Sequence, residues 1–209
     1  MKRFGLRLIA LLSLCIGSAW ADPVYYTATL AGTNESPANL SPATGVITVG
    51  YDASANTLSV DLSFAALTGN TTAAHLHCCA VPGTNAGVAV GLAGFVSGVT
   101  GATYSGLFDL TNSSVFAPDF LNGPGGGTVA GSEAALVAAL ASGQVYINVH
   151  TSTFPGGEIR GNLQLRTLPV PEPDGLALLA VALLALGVIR YQHPGLRAQR
   201  LKARKPVRR

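Results

Sequence analysis

From Thr57 to Phe64 the chain alternates residue by residue. Leu58, Val60, Leu62 and Phe64 are apolar, while Thr57, Ser59, Asp61 and Ser63 are polar. A period of two fits a half-buried strand, because successive side chains of a strand point to opposite faces. Further strands read at Tyr25–Leu30, Gly45–Tyr51, Ala73–Cys78, Thr103–Leu110, Val145–Val149 and Glu158–Leu165. Asp52-Ala53-Ser54-Ala55-Asn56 supplies a turn between two of them. The Gly-rich stretch Pro82–Gly101 reads as a long, partly ordered loop, and Gly123–Gly127 as a flexible turn. One helix is expected at Ser132–Ser142, with Ser132 as its cap, Leu136, Val137 and Leu140 as its stripe, and Gly143 as its stop. Short strands separated by turn residues predict an all-β fold, an antiparallel β-sandwich with one short helix.

The two ends follow a different logic. Lys2, Arg3 and Arg7 precede an apolar run from Leu8 to Ile16, and Ala19-Trp20-Ala21 is a small-x-small cleavage motif. That order predicts an N-terminal signal peptide at 1–21, cut between Ala21 and Asp22. Near the other end, Leu176–Ile189 is apolar apart from Gly187, and eight Lys or Arg residues follow from Arg190 to Arg209. This run is short beside the roughly 20 residues of a usual membrane span. It is nevertheless expected to form an apolar transmembrane or sorting helix at 174–190. Basic residues resist translocation, so the tail at 191–209 should stay cytoplasmic and the body outside. A Pro-containing linker at 166–173 would hold the body off the membrane.

Removing the ends reverses the charge. Residues 22–170 hold two basic side chains, Arg160 and Arg166, against eight acidic ones, a net of −6. An acidic body argues against nucleic acid as a partner. It also argues against anionic lipid. The remaining length suits one ordinary domain, 22–165.

Three histidines fall in that body. His75-Leu76-His77 lies on an expected strand, so both imidazoles share a face about 7 Å apart at Cβ and Leu76 points to the core. Val145, Ile147 and Val149 form the apolar face of a later strand, which puts Tyr146, Asn148 and His150 on its polar face. Glu158 and Arg160 are expected to point outward on the last strand. His75, His77 and His150 make a candidate Cu or Zn site, since neutral imidazole suits both metals. The bland reading is a hydrogen-bonded cluster in which Glu158 and Arg160 form a structural polar pair. Cys78 and Cys79 are adjacent, and in an oxidising compartment they can close a disulfide, pair between chains or bind a soft metal. The disulfide is the favoured reading. No Gly-x-Ser-x-Gly elbow and no phosphate-binding Lys after the Gly-rich turn occur, so no catalytic residue is assigned and no enzyme is expected.

Two resemblances add to this. Val170-Pro171-Glu172-Pro173, the apolar run and the basic end together resemble the PEP-CTERM sorting signal. That likeness implies an exosortase-type protease as partner and Pro171, Glu172 and Pro173 as the sorting motif. Ala74-His75-Leu76-His77-Cys78, Tyr146-Ile147-Asn148-Val149-His150-Thr151 and Pro155-Gly156-Gly157-Glu158-Ile159-Arg160-Gly161 resemble the CHRD domain. That resemblance implies an immunoglobulin-like sandwich and no particular activity. The expectation is an exported, non-catalytic module of the cell envelope or extracellular matrix that binds protein or polysaccharide. The alternative is a metal-binding redox protein built on the three histidines.

Overall fold

Nine strands form among the described residues, which are 22–166 and the pair Leu183–Leu184 of a computed structural model. They are β1 (Val24–Ala31), β2 (Thr44–Asp52), β3 (Thr57–Ala65), β4 (Thr71–Cys78) and β5 (Gly87–Gly91). β6 (Ala102–Asp109), β7 (Val145–Thr151), β8 (Ile159–Asn162) and β9 (Gln164–Leu165) complete the set. All join one antiparallel sheet in the order β5-β4-β7-β8-β1-β2-β3-β6, with β9 beside β1. The all-β expectation holds. The fold is sandwich-like, but its two halves belong to one sheet instead of two separate ones. Ala31 pairs with Arg160, and β9 returns onto Tyr26 and Thr27, so the sheet is continuous through the join. It curls as a half-barrel, and residues from both halves share one core.

The alternation explains which face is buried. Leu58, Val60, Leu62 and Phe64 point into the core with Ile47, Val49, Leu76, Ile147 and Ile159. Burying one such side chain contributes about 1.5–3 kcal/mol. The β2–β3 turn closes on Asp52, whose Oδ1 accepts from Ser54 N, Ser54 Oγ and Ala55 N. Asn56 there has a φ of 51°, a conformation Asn tolerates.

Three elements differ from the sequence expectation. The stretch read as one long loop contains β5, which pairs with β4 and buries Ala89 and Val90. An unexpected short helix, α1 (Pro118–Asn122), begins on its own proline and buries Phe120. The main helix, α2 (Val129–Ala141), starts earlier than expected. Thr128 caps it by accepting from Gly131 N. Ser132 is instead buried inside the helix, its hydroxyl donating back to Thr128 O at 3.0 Å. Gly143, at φ 69°, ends the helix as expected of a left-handed stop.

The compact unit containing the sheet ends at Arg166. The expected signal peptide, most of the linker, the Pro-Glu-Pro motif and the basic tail lie outside the described residues, as does the apolar segment apart from helical Leu183 and Leu184. No helix among the described residues is long and apolar enough to cross a membrane.

Candidate functional site

β4 and β7 lie side by side, with His75 opposite Asn148, His77 opposite Tyr146 and Ala73 opposite His150. Core packing sets the orientation: Leu76, Ile147 and Val149 are buried inward, so the alternate side chains share the outer face. The structure therefore brings together the three histidines that the sequence singled out. Their ligating nitrogens all lie within 4.8 Å of one another. His75 Nδ1 sits 3.1 Å from His150 Nε2, with the rings edge to face.

The surrounding hydrogen bonds decide which nitrogen carries the lone pair. His150 Nδ1 lies 2.8 Å from Pro155 O, and His77 Nδ1 lies 2.9 Å from Ala86 O. A carbonyl only accepts, so both rings donate from Nδ1 and carry their lone pair on Nε2 in the neutral state. Backbone carbonyls holding the far nitrogen are the usual outer partners of metal-binding imidazoles. Burial, then the neighbouring His150 and His77, pushes His75 down to about 4. Burial likewise lowers His77, against the hydrogen bond to Ala86. Rings that stay neutral near pH 7 suit metal ligation. Two bonds of about 2.0–2.1 Å span at most about 4.2 Å, so the three nitrogens would have to draw in to share one Cu or Zn ion.

The outer face is polar but not exposed. Asn148, Glu158 and Arg160 are buried, because the segments around Glu35, Asn39 and Asn85 cover them. Glu158 and Arg160 do not form the expected pair. Glu158 Oε1 accepts from Ser41 Oγ, Thr68 N and Thr68 Oγ1, while Oε2 accepts from Thr151 Oγ1 and, at 3.4 Å, Gly69 N. Burial pushes this carboxyl up, but the bonds from Ser41, Thr151 and Thr68 outweigh it and hold it below its usual range. Arg160 takes other partners: it donates to Thr84 O at 2.6 Å and Asn85 Oδ1 at 3.1 Å. Its guanidinium also lies 3.3 Å from the centre of the Tyr146 ring. Glu158 precedes β8, so the strict alternation that would have aligned it with Arg160 does not apply there.

Glu35 was not singled out in the sequence. It lies in the segment after β1, with Oε1 buried and unpartnered. Burial lifts it to about 7 despite the opposing charge of Arg160 and the neighbouring polar groups of Ser36 and Asn148. Asn148 thus stands between Glu35 and His77, its Oδ1 3.0 Å from His77 Nε2. Only one signal could have pointed to Glu35: Arg160 is the one basic side chain within the strands of the body, and a buried guanidinium calls for nearby negative charge.

Cys78 and Cys79 are bonded to each other at the end of β4, Cys78 buried and Cys79 exposed. They stand one residue past His77, yet as a disulfide they offer no thiolate.

Against known families, the CHRD domain model matches residues 26–163. No curated protein and no solved structure shows significant similarity to the chain.

Proposed function

The chain belongs to the CHRD domain family, and on that premise we propose that it is an exported, non-catalytic module of the cell envelope or extracellular matrix. In this reading a signal peptide carries it out and the Pro171-Glu172-Pro173 tail is handed to an exosortase-type protease. It then binds a polysaccharide or protein of the matrix. The observation that carries the binding half is the outer face of β1, β2, β3 and β6. Thr29, Val46, Ser63 and Thr103 align in one row, and Thr27, Thr48, Asp61 and Ser105 in the next. Hydroxyls with a single charge present many donors and acceptors without a strong field. That chemistry suits a polyhydroxylated partner better than a charged one.

The test is co-sedimentation of the purified chain with insoluble matrix polysaccharide, beside a variant carrying Ser63→Arg and Thr103→Glu. Retention of the wild type and loss in the variant is the expected result. Equal failure of both would remove polysaccharide as the partner. Sorting is tested separately by replacing Pro171-Glu172-Pro173 with alanines and following the chain between membrane and medium. An unchanged distribution would overturn the exosortase step.

A second reading is favoured by the convergence of His75, His77 and His150. On it, the same module holds Cu or Zn and serves a redox role.

A further inference from the structure

Resting on that metal reading, we infer that the histidine triad is a copper(I) site, selected over zinc(II) by the buried Arg160 behind it. The ligand set is His75 Nδ1, His77 Nε2 and His150 Nε2. Three observations converge on it. The 3.1 Å separation of the first and third nitrogens is what two bonds of about 2.0 Å make at a near-tetrahedral angle. His77 and His150 are each held at Nδ1 by a backbone carbonyl, which leaves Nε2 as the donor atom. The third concerns His77 Nε2, whose lone pair faces Asn148 Oδ1 at 3.0 Å while Asn148 Nδ2 donates to Gly156 O. Two acceptors at that distance repel unless a cation lies beside them, the ring takes up a second proton or the amide reverses.

The charge around the triad picks the ion. Imidazole ligands bring no negative charge, so the full charge of the metal stays in the site. Tyr146 stacks on His77 with ring centres 4.7 Å apart and planes within 1°, and the same ring carries the Arg160 guanidinium. A permanent cation therefore lies about one phenol ring from a ligand, among groups withdrawn from water. Its repulsion acts twice as strongly on a dication as on a monocation, a difference of roughly tenfold or more in affinity at an effective dielectric near 20. The vicinal disulfide keeps the sulfurs out of competition.

The experiment is a competition titration of the full chain under nitrogen. A chromophoric copper(I) chelator measures one metal and a zinc indicator the other. The expected result is one copper(I) per chain, lost in His75→Ala and His150→Ala, with zinc bound at least about tenfold more weakly. Arg160→Met should narrow that gap. Should Arg160→Met fail to fold, Glu35→Gln serves instead: it removes a buried carboxyl beside Asn148 whose charge offsets a dication twice as strongly as a monocation, so zinc affinity should fall further than copper(I) affinity. Zinc binding as tight as copper(I) would overturn the selectivity and leave the metal reading standing. Binding of neither ion would overturn both.

Discussion

The imidazoles of His75 and His150 meet Nδ1 to Nε2 at 3.1 Å, and the far nitrogen of His150 is held by Pro155 O. With the lone pair on His150 Nε2, His75 donates the proton in the metal-free protein. A proton on His150 Nε2 would remove that bond, and protonating both rings would place two cations side by side.

This geometry predicts a pH dependence. His75 is held at about 4, against 6.5 for the free side chain. Between those values the unfolded chain binds more protons, so the contribution of His75 to stability climbs with pH across that window. It is complete above 6.5 and lost as pH falls through 4. Thermal melts at pH 5 and pH 7 should therefore show a smaller gain with pH in His75→Gln than in the wild type. An unchanged gain would mean that the ring is not desolvated.

Glu35 acts in the opposite direction. Its carboxyl is raised to about 7 from 4.5, so between those values the folded chain binds more protons and stability falls as pH rises. The two slopes partly cancel in the wild type. Glu35→Gln removes the falling one, and its melting temperature should rise more steeply from pH 5 to pH 7 than that of the wild type. A shallower rise would contradict the burial of this carboxyl.

Glu158 ties the covering segments to β7. Its two oxygens accept from Ser41, Thr68, Gly69 and Thr151 in the dry interior. Glu158→Ala leaves these donors without an acceptor, at about 1–3 kcal/mol for each buried one. A loss of about 3 kcal/mol or more is expected in urea denaturation, with the largest effect above pH 5, where the carboxylate is charged in both states. A loss under about 1 kcal/mol would show that water replaces the carboxylate easily.

Gly157 is a backbone requirement. Its φ is 128°, and a Cβ there would run into Glu35 Oε1 and Asn148 Nδ2. Gly157→Ala should cost more than about 1 kcal/mol, because the backbone is strained and the amide beside His77 is displaced. On the metal reading, metal affinity should fall with it. A variant as stable as the wild type would mean that the Glu35 segment moves aside freely.

Much of this fold could be read from residue patterns. Seven period-two runs located eight of the nine strands, the last run covering both β8 and β9, and the face assignments of His75, Leu76 and His77 followed from the same alternation. β5 escaped because Gly87 and Gly91 bound it and only a few side chains remain to alternate. The helix start was misplaced because Thr128 and Ser132 are equally good caps by residue type, and burial of Ser132 decided between them.

The sequence by itself determined the all-β class and that His75 and His77 share a face. It also placed His150 on the polar face of its own strand, because these depend on strand periodicity alone. Tertiary structure decided the rest. Pairing of β4 with β7 joins residues 75 positions apart, and nothing local to either strand specifies that neighbour. Closure of the Glu35, Asn39 and Asn85 segments turned an outward face into an interior. It gave Glu158 and Arg160 separate partners and left a cation behind the histidines. Burial is a property of what covers a residue, and the covering chain lies far from it in sequence.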